Sequence, residues 1–384
     1  MRKEEDWRRY CARPENALGG NEAELLRDGE EAFPAMLAAI GGAREFVLLE
    51  FYSFSDDAIG RAVAALLKEK VREGVAVYLI YDSVGSILTE REFFLGLAAT
   101  GIKVAEFRPV IYWKPYWNWI KRDHRKTVCV DGRMAFVGGF NITEHDAPRS
   151  MDGRGWRDTT VRVSGPAVGA VEALFWDAWA SSTPVDGSVI PPGKPSEPGH
   201  AGQKHASVVF AGGIRHVRSI RRSYRFAIDR AAQHIYITNA YFLPDRLVYR
   251  RLVRAARRGV DVRVITPRET DHPYVRWASW AMYAHMIKNG IKIYEWQGPI
   301  LHSKCAVIDG IWSSVGSHNL DHRSLHYNLE VNLNVYDRGF GSEMSRVFRE
   351  DLKRCRQVTL ADVRRRPWTA RLASKLLYLV RSWL

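Results

Sequence analysis

His124-Arg-Lys126-Thr-Val-Cys-Val-Asp131-Gly132 returns later in the chain as His302-Ser-Lys304-Cys-Ala-Val-Ile-Asp309-Gly310. Both stretches place His, Lys and Asp at relative positions 0, 2 and 7. A small-residue step and an Asn follow each: Gly138-Gly139-Phe-Asn141, then Gly316-Ser317-His-Asn319. The differences 302 − 124, 304 − 126, 309 − 131, 316 − 138 and 319 − 141 all equal 178. Chance does not align so many positions, so the chain reads as one long internal duplication, not a short-period solenoid.

Lys126 to Asp131 is β-branched and apolar and stops at Asp-Gly, which predicts a strand. Residues two apart on a strand share a face, so His124 and Lys126 project together, as do His302 and Lys304. Two copies brought together supply two imidazoles and two ammonium groups to one pocket. That set suits a phosphodiester: one imidazole attacks phosphorus and the other protonates the leaving oxygen. Lys126 and Lys304 would hold the non-bridging oxygens. The small-residue steps would let Gly139, Ser317, Asn141 and Asn319 approach the phosphate closely. Lysines and imidazoles can supply the charge and proton transfer, and no Cys/His or carboxylate cluster has metal spacing, so neither metal nor cofactor is expected.

Strands and helices alternate in each half. Strands are predicted from Phe46 and Val75 and again from Ile235 and Val260, with helices between and after them. This predicts an α/β fold with a mixed, mostly parallel sheet flanked by helices in each half. Tyr52 and Gly101 match Tyr241 and Gly290 at a difference of 189, so the first half carries 11 extra residues between Gly101 and His124. The expected organisation is a first half at 1–183, a Pro/Gly-rich linker at 184–205, a second half at 206–362 and a tail at 363–384.

The 384 residues carry a net charge of +14, which favours a polyanionic partner, nucleic acid or anionic lipid. Cys11, Cys129, Cys305 and Cys355 lack metal or redox spacing and are expected to be reduced, in a cytosolic compartment. The N-terminus lacks a signal-peptide pattern, and no run of 18 apolar residues predicts a spanning helix, so membrane contact would be peripheral. The inserted stretch is rich in aromatics, with Trp113, Trp117 and Trp119 followed by Lys121 and Arg122. It reads as a lipid-headgroup contact, with a buried loop or a stacking platform for single-stranded nucleic acid as alternatives. The tail from Trp368 to Trp383 reads as a basic amphipathic helix: an interfacial anchor, or a helix docked on the protein's own core, or a dimer contact.

The doubled HxKxxxxD motif with its GG-x-N and GS-x-N steps resembles the phospholipase D superfamily. Trp156-Arg157-Asp158, Asn319-Leu-Asp321-His-Arg323-Ser324 and Asn328-Leu-Glu330 look like its bacterial cardiolipin synthase branch. The resemblance runs roughly from Asn16 to Val358. It implies two duplicated halves packed about a pseudo-two-fold axis around one shared active site. It implies His124 as nucleophile, through a phosphohistidine, and His302 as general acid and then base. Orienting carboxylates would be Asp158 for His124 and Glu330 for His302. Asp131 and Asp309 are the alternatives, although their Asp-Gly context suits a structural role. Asp321, Arg323 and Ser324, without a recognised counterpart in the first half, would serve substrate recognition. The activity implied is phosphatidyl transfer between phosphatidylglycerol molecules, giving cardiolipin, at the cytoplasmic face of a bacterial membrane with an anionic surface. No nucleic-acid partner is implied. Hydrolysis by a phospholipase D, or a nuclease-type phosphodiesterase, are the rival activities. Oligomeric state is left open.

Overall fold

The computed structural model describes residues 6–110, 117–212 and 219–381. The first half contributes β1 (Leu18–Leu26), β2 (Phe46–Phe51), β3 (Ala76–Asp82), β4 (Lys103–Phe107), β5 (Lys126–Val130), β6 (Met134–Gly138), β7 (Thr160–Ser164) and β8 (Ser182–Pro184). The second half repeats them as β9 (Lys204–Ala211), β10 (His234–Asn239), β11 (Asp261–Pro267), β12 (Lys292–Trp296), β13 (Lys304–Ile308), β14 (Trp312–Gly316), β15 (Glu330–Tyr336) and β16 (Cys355–Val358).

These strands form one sheet in the order β16-β12-β11-β10-β13-β14-β15-β9-β1-β7-β6-β5-β2-β3-β4-β8. Read from either edge inward, each strand meets its duplicate, so the pseudo-two-fold axis passes between β1 and β9. Those two strands pair antiparallel with an irregular register. The sheet is mixed. β2, β3 and β4 pair in parallel through helical crossovers, and so do β10, β11 and β12. The motif strands β5 and β13 join this parallel part antiparallel.

The crossover helices start where the sequence supplies a cap. Asp57 accepts from the Gly60 amide at the start of helix Ala58–Arg72, and Asp245 accepts from the Val248 amide at helix Arg246–Arg257. Helices cover both faces, so β2 and β10 are buried almost throughout and read as apolar runs.

Asp131 and Asp309 lie at the far ends of β5 and β13 from the histidines. Both adopt left-handed backbone, φ 51° and 53°, and each is followed by a glycine at φ 64°. The Asp131 carboxylate accepts from the amides of Arg44, Glu45 and Phe46. Asp309 accepts from Ala232, Gln233 and His234, and from the Tyr10 hydroxyl at 2.7 Å. These aspartates pin a hairpin to the strand beside it. A catalytic place for Asp131 and Asp309 is therefore corrected: each lies five positions along the strand from its lysine, on the order of 16 Å.

Residues 108–125 join β4 to β5, whereas only 297–303 join β12 to β13, a difference of 18 less 7, which equals the 11 inserted residues. Trp113 lies outside the described residues. Trp117–Ile120 is a short helix, and Trp119 within it is half-buried. Ser182–Pro184 pairs with β4, and the residues from there to β9 run as a tethered strap. Within it the Ser196 amide donates to Glu172 and the Trp179 indole donates to the Ile190 carbonyl. The tail forms helix Trp368–Leu379, packed on helix Pro273–Lys288. Trp368 stays exposed, and Trp383 lies outside the described residues. The four cysteines are free thiols.

Candidate active site

β5 and β13 begin at their lysines, so His124 and His302 sit two residues before the ladder. Two short bridges cross between the halves there. The His124 amide donates to the Leu329 carbonyl at 2.9 Å, and the Leu329 amide donates to Arg122 at 2.8 Å. In the other direction the His302 amide donates to Arg157 at 2.8 Å, and the Arg157 amide donates to Ile300 at 2.9 Å. Leu329 precedes Glu330 and Arg157 precedes Asp158. Each bridge therefore delivers a carboxylate of one half to the histidine of the other.

The pairs are His124 Nδ1 with Glu330 Oε2 at 3.1 Å and His302 Nδ1 with Asp158 Oδ2 at 2.8 Å. The expected pairing, Asp158 with His124 and Glu330 with His302, is corrected: the pairs cross the pseudo-two-fold axis. A carboxylate on Nδ1 fixes the tautomer and leaves Nε2 free for chemistry.

Gly139 and Ser317, expected at the phosphate, pack against and bond these carboxylates. A Cβ on Gly139 would stand 2.2 Å from Asp158 Oδ2, so only glycine leaves room for that carboxylate. At the equivalent position the Ser317 hydroxyl donates to Glu330 Oε2 at 2.5 Å. The Ser317 amide is already bonded to the Val331 carbonyl. Asn328 adds a donor to Glu330 Oε1 at 3.3 Å, and the Thr159 amide donates to Asp158 Oδ1 at 2.7 Å.

The lysines are buried and held by their own motif. The Lys126 ammonium donates to the His124 carbonyl at 2.7 Å, and Lys304 donates to the His302 carbonyl. Burial pushes Lys126 down to about 7, with Glu330 opposing the shift and Lys304 adding to it. Burial lowers Lys304 as well, against the pull of Asp158 and Asp146. Burial, followed by the charges of Lys126 and Lys304, holds His124 well below the usual imidazole value. Burial alone would raise Asp158, but Lys304 and His302 outweigh it and the carboxyl lies below its usual value. Burial raises Glu330, partly offset by His318, Lys126 and the Ser317 hydrogen bond.

Both histidines open into one cavity of about 390 Å³. Tyr52 and Tyr241 stand beside them, with ring centres 5.0 Å from His124 and 6.4 Å from His302. Asn141 and Asn319 also line it. The Asn141 side-chain oxygen accepts from Ser53, whereas that of Asn319 is buried without a partner.

Continuing the 178-residue offset past the asparagines finds counterparts that were not expected. Thr143, His145 and Asp146 stand opposite Asp321, Arg323 and Ser324, and all six line the cavity. The two walls thus share backbone and differ in charge. Asp146 Oδ1 lies 3.8 Å from His302 Nδ1 and has no hydrogen-bond partner. The Arg323 side faces His124 instead, where its charge helps to lower that imidazole after burial and the two lysines. Asp146, Asp158 and His302 bring ligand-type atoms within 4.8 Å of one another. Lys304, 3.9 Å from Asp158, supplies positive charge to that group.

Residues 36–179 and 224–352 match the family described as cardiolipin synthase, PLD-like domain. Cardiolipin synthase A of Pseudomonas putida is 34% identical over 345 residues, covering 90% of this chain and 71% of that protein. Cardiolipin synthase 1 of Staphylococcus epidermidis is 31% identical over 365 residues, covering 94% and 74%. Phosphatidylserine synthase of Haemophilus influenzae superposes with a TM-score of 0.76 at 12% identity, over 94% of this chain and 95% of that one. Polyphosphate kinase of Porphyromonas gingivalis gives 0.55 at 15% identity, over 86% and 50%. At such identities the two structures speak for the fold alone. The sequence relatives and the paired match carry more: the chain is an enzyme of phosphatidyltransferase type and belongs to the cardiolipin synthase family of PLD-like proteins.

Proposed function

We propose that this chain makes cardiolipin from two phosphatidylglycerol molecules by phosphatidyl transfer through His124. The observation that carries this reading is the crossed pair of His–carboxylate units opening into one cavity, in a chain whose relatives are named cardiolipin synthases. Glu330 holds Nδ1 of His124, leaving Nε2 as the nucleophile. Nε2 attacks phosphorus of the first phosphatidylglycerol, and the bond from phosphorus to the glycerol oxygen breaks. His302 donates a proton to that oxygen, and glycerol leaves. His302 then takes the proton from a hydroxyl of a second phosphatidylglycerol. Its oxygen attacks phosphorus, the N–P bond breaks and His124 is regenerated. Lys126, Lys304, Asn141 and Asn319 stabilise the phosphoryl oxygens in both steps.

His124 is assigned the nucleophilic role because its surroundings favour the neutral imidazole, which carries the free electron pair. His302, beside Asp158 and Asp146, is better placed to carry the proton. The enzyme would work at the cytoplasmic face of the membrane that holds its substrate. Among the described residues no helix is long and apolar enough to cross a membrane. Supplying phosphatidylglycerol vesicles to purified protein should yield cardiolipin and glycerol in equal amounts. Phosphatidic acid as the sole lipid product would instead identify water as the acceptor.

A further inference from the structure

The cavity mouth carries apolar side chains that the reaction does not use. After β3, Val84 and Gly85 line the cavity, and the loop then exposes Ile87 and Leu88, the latter 98% exposed. After β11, the duplicate of β3, the chain enters helix Pro273–Lys288. Tyr274 and Val275 line the cavity there, and Tyr274 and Trp277, one turn apart, are exposed. The two-fold therefore puts an apolar pair from each half beside the same opening. Single exposed leucines are ordinary, but matched pairs at the mouth of a site mark an interaction surface.

Helix Pro273–Lys288 also carries the tail. Arg366 stacks on Trp280 at 3.8 Å, and Leu377 and Tyr378 pack against the core. This docking turns Trp368, Leu372, Leu376 and Leu379 outward, a spacing that keeps them on one face. Arg364, Arg365, Arg371 and Lys375 are exposed around them, and no acidic residue follows Asp362. A second copy of so cationic a surface would be repelled, whereas anionic headgroups would be attracted.

We propose that the Ile87/Leu88 loop, the Tyr274/Trp277 turn and the outward face of the tail helix dock on an anionic phospholipid bilayer and seat the cavity mouth against its headgroups. This rests on the phospholipid-substrate reading. The test uses the full chain with His124→Ala, so that binding is measured without turnover. Vesicles of phosphatidylglycerol with phosphatidylcholine should float the protein, and vesicles of phosphatidylcholine alone should float far less. Replacing Leu372, Leu376 and Leu379 with Ser, or Ile87 and Leu88 with Ser, should each weaken flotation by about 10-fold or more. In the active enzyme the same changes should leave turnover of monomeric short-chain phosphatidylglycerol intact and depress turnover of vesicles. Unchanged flotation of both variants would overturn the proposal. So would a tail variant that turns a dimer into a monomer while floating normally, which would identify a subunit contact. Loss of flotation in the variants, from a protein that turns over no phosphatidylglycerol in any form, would uphold docking and count against the proposed reaction.

Discussion

Asp146 lies outside the doubled motif, yet its carboxylate stands 3.8 Å from Nδ1 of His302. Its counterpart beside His124 is the uncharged Ser324. With Asp158 it holds one side of the ring, so that the far nitrogen of His302 is aimed at the leaving oxygen that must take the proton. Asp146→Asn should slow transfer from phosphatidylglycerol, whose leaving alkoxide needs a proton, by roughly 10- to 100-fold. A nitrophenyl phosphodiester, which leaves without a proton, should react within about 2-fold of the unmodified enzyme in the first step. Equal losses on both substrates would reduce Asp146 to a packing role. His124 offers a second check at this scale. A nucleophile must be unprotonated, and His124 is held well below the usual imidazole value, first by burial and then by the two lysines. The acid limb of kcat/KM should therefore fall below the ordinary imidazole value of about 6.5, and activity should persist where a free imidazole is mostly protonated. A limb at or above that value would contradict the burial argument. The histidines and lysines of this site were legible as residues because one spacing occurs twice. Asp146 was equally available by extending the offset past Asn141, but its chemistry differs from that of Ser324, and a search for repeated residue types passes over it.

At the scale of elements, Asp131 and Asp309 show how far a motif can mislead. Their spacing from His and Lys is as regular as the catalytic spacing, because a five-residue strand separates the two ends of one hairpin. Asp309→Ala leaves three amides and the Tyr10 hydroxyl without their acceptor and should cost about 1–3 kcal/mol of stability. Urea unfolding measures that loss, while kcat of the folded fraction should stay near its original value. A large fall in kcat at unchanged stability would return Asp309 to the chemistry. Strand and helix alternation was readable from apolar runs. The docking of the tail helix was only one of three readings, since its sequence is apolar enough on two sides to bury one and expose another. Only the contact with helix Pro273–Lys288 decides which side is which.

For the whole molecule, the mirrored sheet order makes the two halves structural duplicates and the crossed carboxylates make them chemically interdependent. The two-fold arrangement was legible from the 178-residue offset. The crossing was not, because Asp158 and Glu330 each follow their own motif in the chain, and only the bridges at Leu329 and Arg157 carry them over. Neither motif histidine takes its Nδ1 carboxylate from its own half. Chains ending at 203 or beginning at 204 should each lack transfer activity, and mixing the two should restore it. Activity in either piece alone would show that the crossing is dispensable.

The central claim is one site in which His124 carries the phosphatidyl group and His302 moves the protons. The most direct measurement is a quench in neutral denaturant, since acid cleaves an N–P bond, followed by peptide mass spectrometry at neutral pH on His302→Ala after reaction with a nitrophenyl ester of phosphatidic acid. That leaving group needs no proton, whereas release of the intermediate needs the missing base. A phosphatidyl adduct on His124, approaching one per chain, is the result expected. An adduct on another residue, or nitrophenol release with full turnover and no adduct, would contradict the account.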